Sequence, residues 1–188
     1  MSVAFLLTIL YYYNPEYFDI KGNHIKLSED RLTSRSELNE CDTVYGNLTI
    51  DCWENKKRNK KIYEWTFEIK SCYFIAIGID DASATWINKY FYSRKKNYAF
   101  TSGGDIYKET KSVSRKGGKI QFKFKDAGSK IMMQLNMKTK EIKYYVNDQI
   151  VKKEIDAAKI TDIAVDRNMK YKLAIFLWGS PSTNNASV

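Results

Sequence analysis

Apolar and polar side chains alternate along residues 128–148, and this alternation predicts two antiparallel strands joined by a short turn. A period of two places every second side chain on the same face, so each strand has one apolar face. The polar run at residues 138–140 would form the turn, and Asn147-Asp148 would form the next one. Because a sheet with one apolar face needs a second layer to cover it, the hairpin predicts a two-layer fold. The apolar face consists of Ile131, Met133, Leu135 and Met137, and then of Ile142, Tyr144 and Val146.

Two stretches before this hairpin predict strands with different amounts of cover. Residues 73–79 form an apolar run of strand length, which is typical of a strand covered on both sides near the centre of a sandwich. Residues 63–69 alternate instead, which predicts a strand with one buried face. That face carries Tyr63, Trp65, Phe67 and Ile69.

Short strands of this kind recur along the chain, and no helical period competes with them. Residues 24–28 and 31–35 predict a small hairpin that edges one sheet, and a polar loop follows at residues 36–42. Gly46 interrupts the next strand and predicts a bulge or a close backbone approach. The pattern therefore predicts an all-β fold, a two-sheet antiparallel β-sandwich. Its remaining strands are predicted at residues 43–50, 98–102, 106–108, 119–125 (after a Gly-Gly turn at 117–118), 150–155, 160–165 and 171–178, with a terminal loop at 180–185.

The N-terminal residues 3–10 are apolar, but they do not fit a signal peptide. No basic residue precedes them, and tyrosines follow where small residues would mark a cleavage site. The run is also too short to span a bilayer. We expect residues 1–19 to be a segment packed on the sandwich or part of it, and residues 1–188 to form a single domain.

The order of several of these strands resembles that of SPRY (B30.2-like) domains. The second strand of the hairpin, read as Ile-Lys-Tyr-Tyr-Val-Asn-Asp, follows a Lys-Thr-Lys turn, as in the late hairpin of that family. The chain departs from the family pattern at Gly128-Ser129, where the family has Gly-Asp, and at Asn147-Asp148, where it has Asn-Gly. The resemblance implies a concanavalin-like jelly roll that recognises partners. The other matching stretches are residues 65–69, 75–79, 98–102 and 171–177.

Charge and cysteine usage narrow the classes of partner and compartment. The formal net charge is +9, and a positive field attracts acidic partners or phosphate backbones. The lysine-rich runs at residues 56–61, 94–96 and 108–119 fall in predicted connections, where solvated lysine is expected. The 3 cysteines have no CxxC spacing, which argues against a disulfide framework and a zinc site. This cysteine usage favours a reducing compartment, and we expect a cytoplasmic protein.

The chain offers little material for catalysis. Its one histidine, His24, alternates with Lys26 and Ser28, which predicts a solvated strand histidine and not a catalytic base. Asp80 and Asp81 could hold Ca²⁺, but their neighbours supply few further oxygen ligands, so a turn carboxylate pair is the preferred interpretation. No glycine-rich loop is followed by the Lys-Ser/Thr and helix that phosphate binding requires. We therefore expect no catalytic residues, no metal site and no cofactor.

The connection at residues 80–97 has the most unusual composition. It interleaves large aromatic side chains with basic ones and could contain a helical turn at residues 85–90. Aromatic side chains in such a connection are either packed onto the core or offered to a partner, and the sequence leaves both open. Residues 80–94 of this connection, with help from the loops at residues 101–105 and 178–182, would form a binding surface at one end of the two sheets. The predicted partner-binding residues are Asp80, Asp81, Trp86, Tyr90, Tyr92, Arg94, Thr101 and Trp178.

The sequence thus favours a non-catalytic module that binds a protein or peptide segment, with a preference for an acidic one, and no membrane. One alternative is a carbohydrate-binding domain, because lectin sandwiches share this architecture and stack sugars on exposed Trp and Tyr. A further alternative is nucleic-acid binding by the basic loops, with aromatic stacking between them. It ranks third because the basic residues fall in several separate connections and form no recognisable motif.

Overall fold

The structure is a computed structural model, and it describes most of the strands that the pattern predicts. The described residues are 5–8, 17–36, 40–51, 62–70, 73–85, 90–93, 97–108, 111–112, 128–139, 141–151 and 170–178. They form fourteen strands and one 3-10 helix, and they contain no α-helix. The predicted strands at residues 119–125 and 160–165, the Gly-Gly turn at 117–118 and the loop at 180–185 lie outside the described residues.

The strands form two antiparallel sheets of seven strands each. Sheet A has the order β13, β12, β11, β6, β1, β4 and β3, and sheet B has the order β10, β9, β8, β7, β14, β5 and β2. The strand bounds are β1 (Phe5–Thr8), β2 (Phe18–Lys21), β3 (Ile25–Leu27), β4 (Thr33–Ser36), β5 (Cys41–Asp51), β6 (Ile62–Ile69), β7 (Phe74–Asp81), β8 (Tyr98–Thr101), β9 (Ile106–Lys108), β10 (Lys111–Ser112), β11 (Lys130–Asn136), β12 (Glu141–Val146), β13 (Gln149–Ile150) and β14 (Lys170–Trp178), and the 3-10 helix is Phe91–Ser93.

Sheet A has one buried and one polar face, as the alternation predicts. On β6, β11 and β12 the apolar positions of the predicted hairpin and of residues 63–69 are buried, and the positions between them are partly or fully exposed. On the outer face, the Gln134 amide donates a hydrogen bond to Glu64 Oε1 at 2.6 Å. The predicted hairpin and the predicted strand at residues 63–69 are therefore confirmed.

Sheet B is covered on both faces at its centre. β7 is the fourth of its seven strands, and its residues 75–80 are all buried, which confirms the prediction for the apolar run. β14, which pairs with β7, is buried from residue 171 to residue 177. One face of these strands packs against sheet A, while the opposite face needs a cover of its own.

The two sheets enclose a core of aromatic and branched side chains. Trp65 and Phe67 come from sheet A, and Tyr98, Phe100 and Tyr171 come from sheet B. The two layers are also joined by a hydrogen bond, in which the Tyr144 hydroxyl donates to the backbone oxygen of Ile77 at 3.2 Å. Burial raises the pKa of Tyr144 far above its usual range, so this hydroxyl stays protonated and remains a donor.

The N-terminal apolar segment contributes a strand to the sandwich. β1 pairs with β6 on one side and with β4 on the other, so it lies inside sheet A. The next two predicted strands, β3 and β4, pair with each other, and β3 is the edge of the sheet, as expected. Among the described residues, no helix is long and apolar enough to cross a membrane.

Two local predictions differ from the structure around β5. This strand begins at Cys41, so the predicted polar loop at residues 36–42 is shorter than expected. His24 lies in a turn before β3 and is not a strand residue. Its backbone N–H donates to Asp42 Oδ2 at 2.7 Å, and its Nδ1 lies 3.2 Å from the same oxygen. Asp42 is fully buried and needs donors, which explains why the chain turns there. The pairing of β5 shifts register on both sides near Gly46, which agrees with the predicted bulge.

Candidate functional site: an aromatic surface on sheet B

Part of the outer face of sheet B is apolar, unlike that of sheet A. Alanines on three adjacent strands, Ala76, Ala99 and Ala174, lie there in a cluster that is separate from the core between the sheets. Their small side chains leave room for the connection between β7 and β8, which lays Ala84 and Phe91 onto them. Phe91 is fully buried, so this connection forms a third layer over part of sheet B.

Hydrogen bonds fix both described ends of this connection. At its start, Asp81 Oδ1 accepts bonds from the Ser83 backbone N–H at 2.9 Å and from the Ser83 hydroxyl at 2.7 Å. The Ala82 N–H donates to the Lys170 oxygen of β14 at 2.8 Å. Near its end, the buried Asn97 amide donates to the backbone oxygen of Phe91 at 2.7 Å. The described residues of the connection thus have a defined path across the sheet.

Beside Phe91, a continuous group of rings extends from the connection onto the strands. We call this group the aromatic surface. Tyr90 lies 4.7 Å from Phe176, centroid to centroid, and 5.4 Å from Tyr92. Tyr92 in turn lies 5.0 Å from Tyr107. A neighbouring edge-to-face pair has its centroids 5.0 Å apart and consists of Tyr73 and Trp178. The aromatic surface comprises Tyr73, Phe74, Tyr90, Tyr92, Tyr107, Phe176 and Trp178.

The rings differ in their exposure in a way that suits binding. Phe176 is fully buried and forms the floor, whereas Tyr73 and Tyr90 keep 46% and 39% of their surface exposed. Tyr92 is half-buried, and burial raises its pKa well above the usual range, so its hydroxyl is neutral at physiological pH. An exposed rim on a packed floor presents aromatic area that is already ordered, which lowers the entropy cost of binding.

The structure brings three of the predicted partner-binding residues together. Tyr90, Tyr92 and Trp178 all belong to the aromatic surface. Asp81 is half-buried and caps the turn at Ser83, as expected for a turn carboxylate. Trp86 and Arg94 lie outside the described residues, as do residues 86–89 of the predicted helical turn. The 3-10 helix lies just after that turn, at Phe91–Ser93.

The burial of Asp80 and Thr101 argues against direct contact with a partner. Asp80 is 0% exposed, and its carboxylate accepts bonds from the Tyr45 hydroxyl at 3.0 Å and from the Asp81 N–H at 2.9 Å. Thr101 is 1% exposed, and its hydroxyl oxygen accepts the Asp105 N–H at 3.0 Å. The Asp80 side chain thus links β7 to β5, and the Thr101 side chain holds the loop that follows β8.

The described residues of the predicted loops do not all lie at one end of the sandwich. In the pairing of β7 with β14, Asp81 lies opposite Tyr171, while Trp178 lies opposite Phe74 at the other end of the strands. Thr101 pairs with Ala76 and is therefore nearer the Trp178 end. Tyr90, Tyr92 and Trp178 lie together because residues 90–93 of the connection lie against the outer face of sheet B. Of the aromatic side chains of the connection, Phe91 is packed onto the cluster on sheet B, and Tyr90 is exposed.

Four members of the aromatic surface are absent from the predicted set: Tyr73, Phe74, Tyr107 and Phe176. Phe176 has a signal in the sequence, because it alternates with Ile175 and Leu177, which face the core. The other three required knowledge of which strands are neighbours. Within the described residues, no group of three or more His, Cys, Asp and Glu side chains is placed to hold a metal ion.

The chain is similar to known proteins in fold but not in sequence. No known family model matches the chain, and no curated protein matches it. Solved structures do match. The SPRY domain of human HERC1 is 14% identical, with a TM-score of 0.50, and the match covers 87% of this chain and 91% of that domain. The PSpry domain of TRIM65 is 10% identical, with a TM-score of 0.57 and coverage of 89% and 88%.

A lectin gives a match of similar quality. Peanut lectin, in a structure with the 9mer peptide PVIWSSATG, is 12% identical, with a TM-score of 0.53, and the match covers 96% of this chain and 90% of that one. At such low identity, these likenesses show the fold alone. The chain is an antiparallel β-sandwich of the architecture that SPRY domains and lectin jelly rolls share.

Proposed function

We propose that this chain is a non-catalytic protein-interaction module that binds a peptide or protein segment on the aromatic surface. The observation that carries the proposal is the exposure of Tyr73 and Tyr90, at 46% and 39%, on a floor of buried Phe176. Tyrosine and tryptophan supply much of the energy at protein interfaces, since each buries a large area with few rotatable bonds. A soluble fold gains no stability from leaving such rings in water.

The fold likeness supports this class of function. The SPRY domains of HERC1 and TRIM65 share the architecture, and the matching structure of peanut lectin is one with a 9mer peptide. SPRY domains are mostly partner-recognition modules, which the resemblance of the sequence already implies. A rigid two-sheet frame lets a connection such as that between β7 and β8 carry the specificity.

We further propose a cytoplasmic setting and an acidic partner. The cysteine count argues against a disulfide framework, and Cys41 is a free thiol beside the aromatic surface. The net charge of +9 favours a ligand whose apolar anchors are flanked by Asp or Glu. Under this proposal, aromatic contacts supply the affinity, and the charge increases the rate of association.

Affinity capture from a native cell extract, followed by mass spectrometry, tests the proposal. We expect Tyr90→Ala and Trp178→Ala to reduce partner recovery about tenfold or more, since truncating an interface anchor costs about 2 kcal/mol. Trp86→Ala and Arg94→Ala extend the test to the predicted residues that the structure does not describe. Tyr17→Ala is the matched control, because Tyr17 is 37% exposed but packs near Arg31, away from the aromatic surface. Equal recovery by all variants would remove the aromatic surface as the binding site.

Carbohydrate binding is the second candidate function, and a specific observation favours it. The edge-to-face pair of Tyr73 and Trp178 offers ring faces on a fold that peanut lectin shares. A glycan array separates the two candidates. Binding of a sugar at micromolar to millimolar strength that is lost in Trp178→Ala would favour the lectin function, and a protein partner without sugar binding would favour the interaction module.

A further inference from the structure

Lys172 is a buried lysine in the middle of β14, and its position needs an explanation. It is 5% exposed and lies on the outer face of sheet B, four residues before Phe176 on the same face. Four strand residues span about 13 Å, so Lys172 lies well away from the floor of the aromatic surface. An ammonium group is costly to bury unless hydrogen bonds and opposite charge compensate it.

The contacts of Lys172 link three elements. Its Nζ donates a hydrogen bond to the backbone oxygen of Ala84 and lies 4.4 Å from the centroid of the Tyr45 ring on β5. The Tyr45 hydroxyl donates to Asp80 Oδ2 at 3.0 Å, and Asp80 is the cross-strand partner of Lys172 on β7. A buried cation, a buried carboxylate and a ring face therefore lie together under the start of the connection.

Ala84 is the point at which the connection turns back over the sheet. Its N–H donates to the Asp81 oxygen at 2.9 Å, which closes the turn after β7, and its side chain is buried beside Phe91. The bond from Lys172 to the Ala84 oxygen ties the outgoing chain to β14. Among the described residues after this point, Tyr90 and Tyr92 reach Phe176, which is on β14 like Lys172.

We propose that Lys172 is a positioning residue that holds the β7–β8 connection against sheet B and so assembles the aromatic surface. This inference rests on the proposed function for its binding consequence, but not for its structural one. Because Lys172 is 5% exposed, we assign it no contact with the ligand in this proposal. It fixes the direction of the chain that carries Tyr90 and Tyr92, with Asp80 and Tyr45 as its supports.

Amide hydrogen exchange of the full chain, followed by NMR, tests the structural part. In Lys172→Met we expect the Ser83 and Ala84 amides to exchange about tenfold faster or more, because a hydrogen bond from a charged donor is lost. Tyr45→Phe removes only the hydroxyl bonded to Asp80 and should change the same amides less, which keeps the test available if Lys172→Met folds poorly. Lys170→Met is the matched control, since Lys170 is in the same strand but its side chain is 64% exposed and pairs with Asp51.

A peptide selected from a phage-displayed library against the unmodified protein tests the binding part. We expect its affinity to fall about tenfold in Lys172→Met and to stay unchanged in Lys170→Met. Unchanged exchange at Ser83 and Ala84, or an equal rise at the central Ile175 amide, would overturn the positioning role. Faster exchange at Ser83 and Ala84 in Lys172→Met, with unchanged peptide affinity, would also overturn the positioning role. In that case, a loss of peptide affinity in Tyr90→Ala would still support the proposed function. If no peptide can be selected, the proposed function fails, and the exchange rates alone decide whether Lys172 closes the connection.

Discussion

Gly78 lies where the backbone of β8 passes too close for any side chain. A Cβ built at this position would be 1.8 Å from the Tyr98 carbonyl oxygen and 2.8 Å from the Ala99 Cα. Both are backbone atoms in paired strands, so neither can move away at low cost. We expect Gly78→Ala to lower the free energy of unfolding by about 3 kcal/mol or more. Urea denaturation measures the change.

Gly103 provides the control for that substitution. It is exposed in the loop after β8, and a Cβ there would meet only the Thr101 hydroxyl oxygen, at 3.7 Å. Gly103→Ala should therefore change the free energy of unfolding by no more than about 0.5 kcal/mol. A similar loss of stability in both variants would mean that helix-forming or unfolded-state effects of alanine, and not the contact at Tyr98, determine the result.

A second prediction at the scale of a single residue concerns Asp42 and the pH dependence of stability. Burial raises the pKa of Asp42 above its usual 3.8, against the opposing effect of the His24 hydrogen bonds. Between 3.8 and the raised pKa the folded state binds more protons than the unfolded state, so ionisation of Asp42 opposes folding. The free energy of unfolding therefore falls as pH rises from 3.8 to the raised pKa of Asp42, and it stays lower at higher pH.

We expect Asp42→Asn to remove this loss. The amide oxygen can still accept the His24 N–H, while the pH-dependent term disappears. Relative to the unmodified protein, the variant should gain stability as pH rises from about 3.5, and the gain should level off above the raised pKa. Thermal unfolding at closely spaced pH values measures the difference. Parallel curves for the two proteins across this range would contradict the assignment. Glu40 also faces His24, with 3.7 Å between its Oε2 and the ring Nδ1. Glu40→Gln measures how much Glu40 contributes to the pH dependence of stability.

At the scale of strands and turns, local pattern decides what the sequence could predict. The hairpin of β11 and β12 is predictable because its alternating apolar and polar side chains are close together in the sequence. The path of the β7–β8 connection is not, because it depends on Ala99 and Ala174, which are distant in the chain and share one face only after the sheet forms. The proposed role of Lys172 could not be predicted from the sequence for the same reason, since its neighbours Asp80 and Tyr45 come from two other strands.

The turn between β12 and β13 carries a prediction about this element. Asn147 and Asp148 both have positive φ, 48° and 65°, which is the backbone of a two-residue type I′ hairpin turn. The Asn147 side chain also accepts the Lys130 N–H at 2.8 Å, so asparagine has a second use there. Asp148 is exposed, and its left-handed backbone suits glycine better.

We therefore expect Asp148→Gly to raise the free energy of unfolding by about 0.5–1 kcal/mol, since relief of the strained backbone exceeds the added entropy of the unfolded chain. Asp148→Ala should lower it instead, because alanine tolerates positive φ less well than aspartate does. The midpoints of urea unfolding measure both changes. Stabilisation by alanine would show that the charge of Asp148, and not its backbone conformation, determines the effect.

At the scale of the whole molecule, the two outer faces of the sandwich differ in composition. Sheet A presents polar pairs such as Gln134 with Glu64, which interact favourably with water. Sheet B carries a cluster of alanines and aromatic rings, which the β7–β8 connection covers in part. The asymmetry explains why a chain with mean hydropathy of −0.50 still has an exposed aromatic rim. Binding is expected on the face where apolar cover is incomplete.

The last prediction concerns the net charge of +9. The salt dependence of affinity separates the protein-binding hypothesis from the nucleic-acid-binding hypothesis. A ligand anchored on Tyr90 and Trp178 buries apolar area, and salt does not screen that contribution. We expect its affinity to fall by no more than about tenfold between about 50 and 200 mM salt, whereas a nucleic acid held by six or more phosphate contacts loses about a thousandfold or more. Isothermal titration of the captured partner and of a single-stranded oligonucleotide, each over the same salt series, makes the comparison. Oligonucleotide binding that is tighter than partner binding at about 150 mM salt, and that weakens steeply as salt rises, would favour the basic loops over the aromatic surface as the functional feature of this chain.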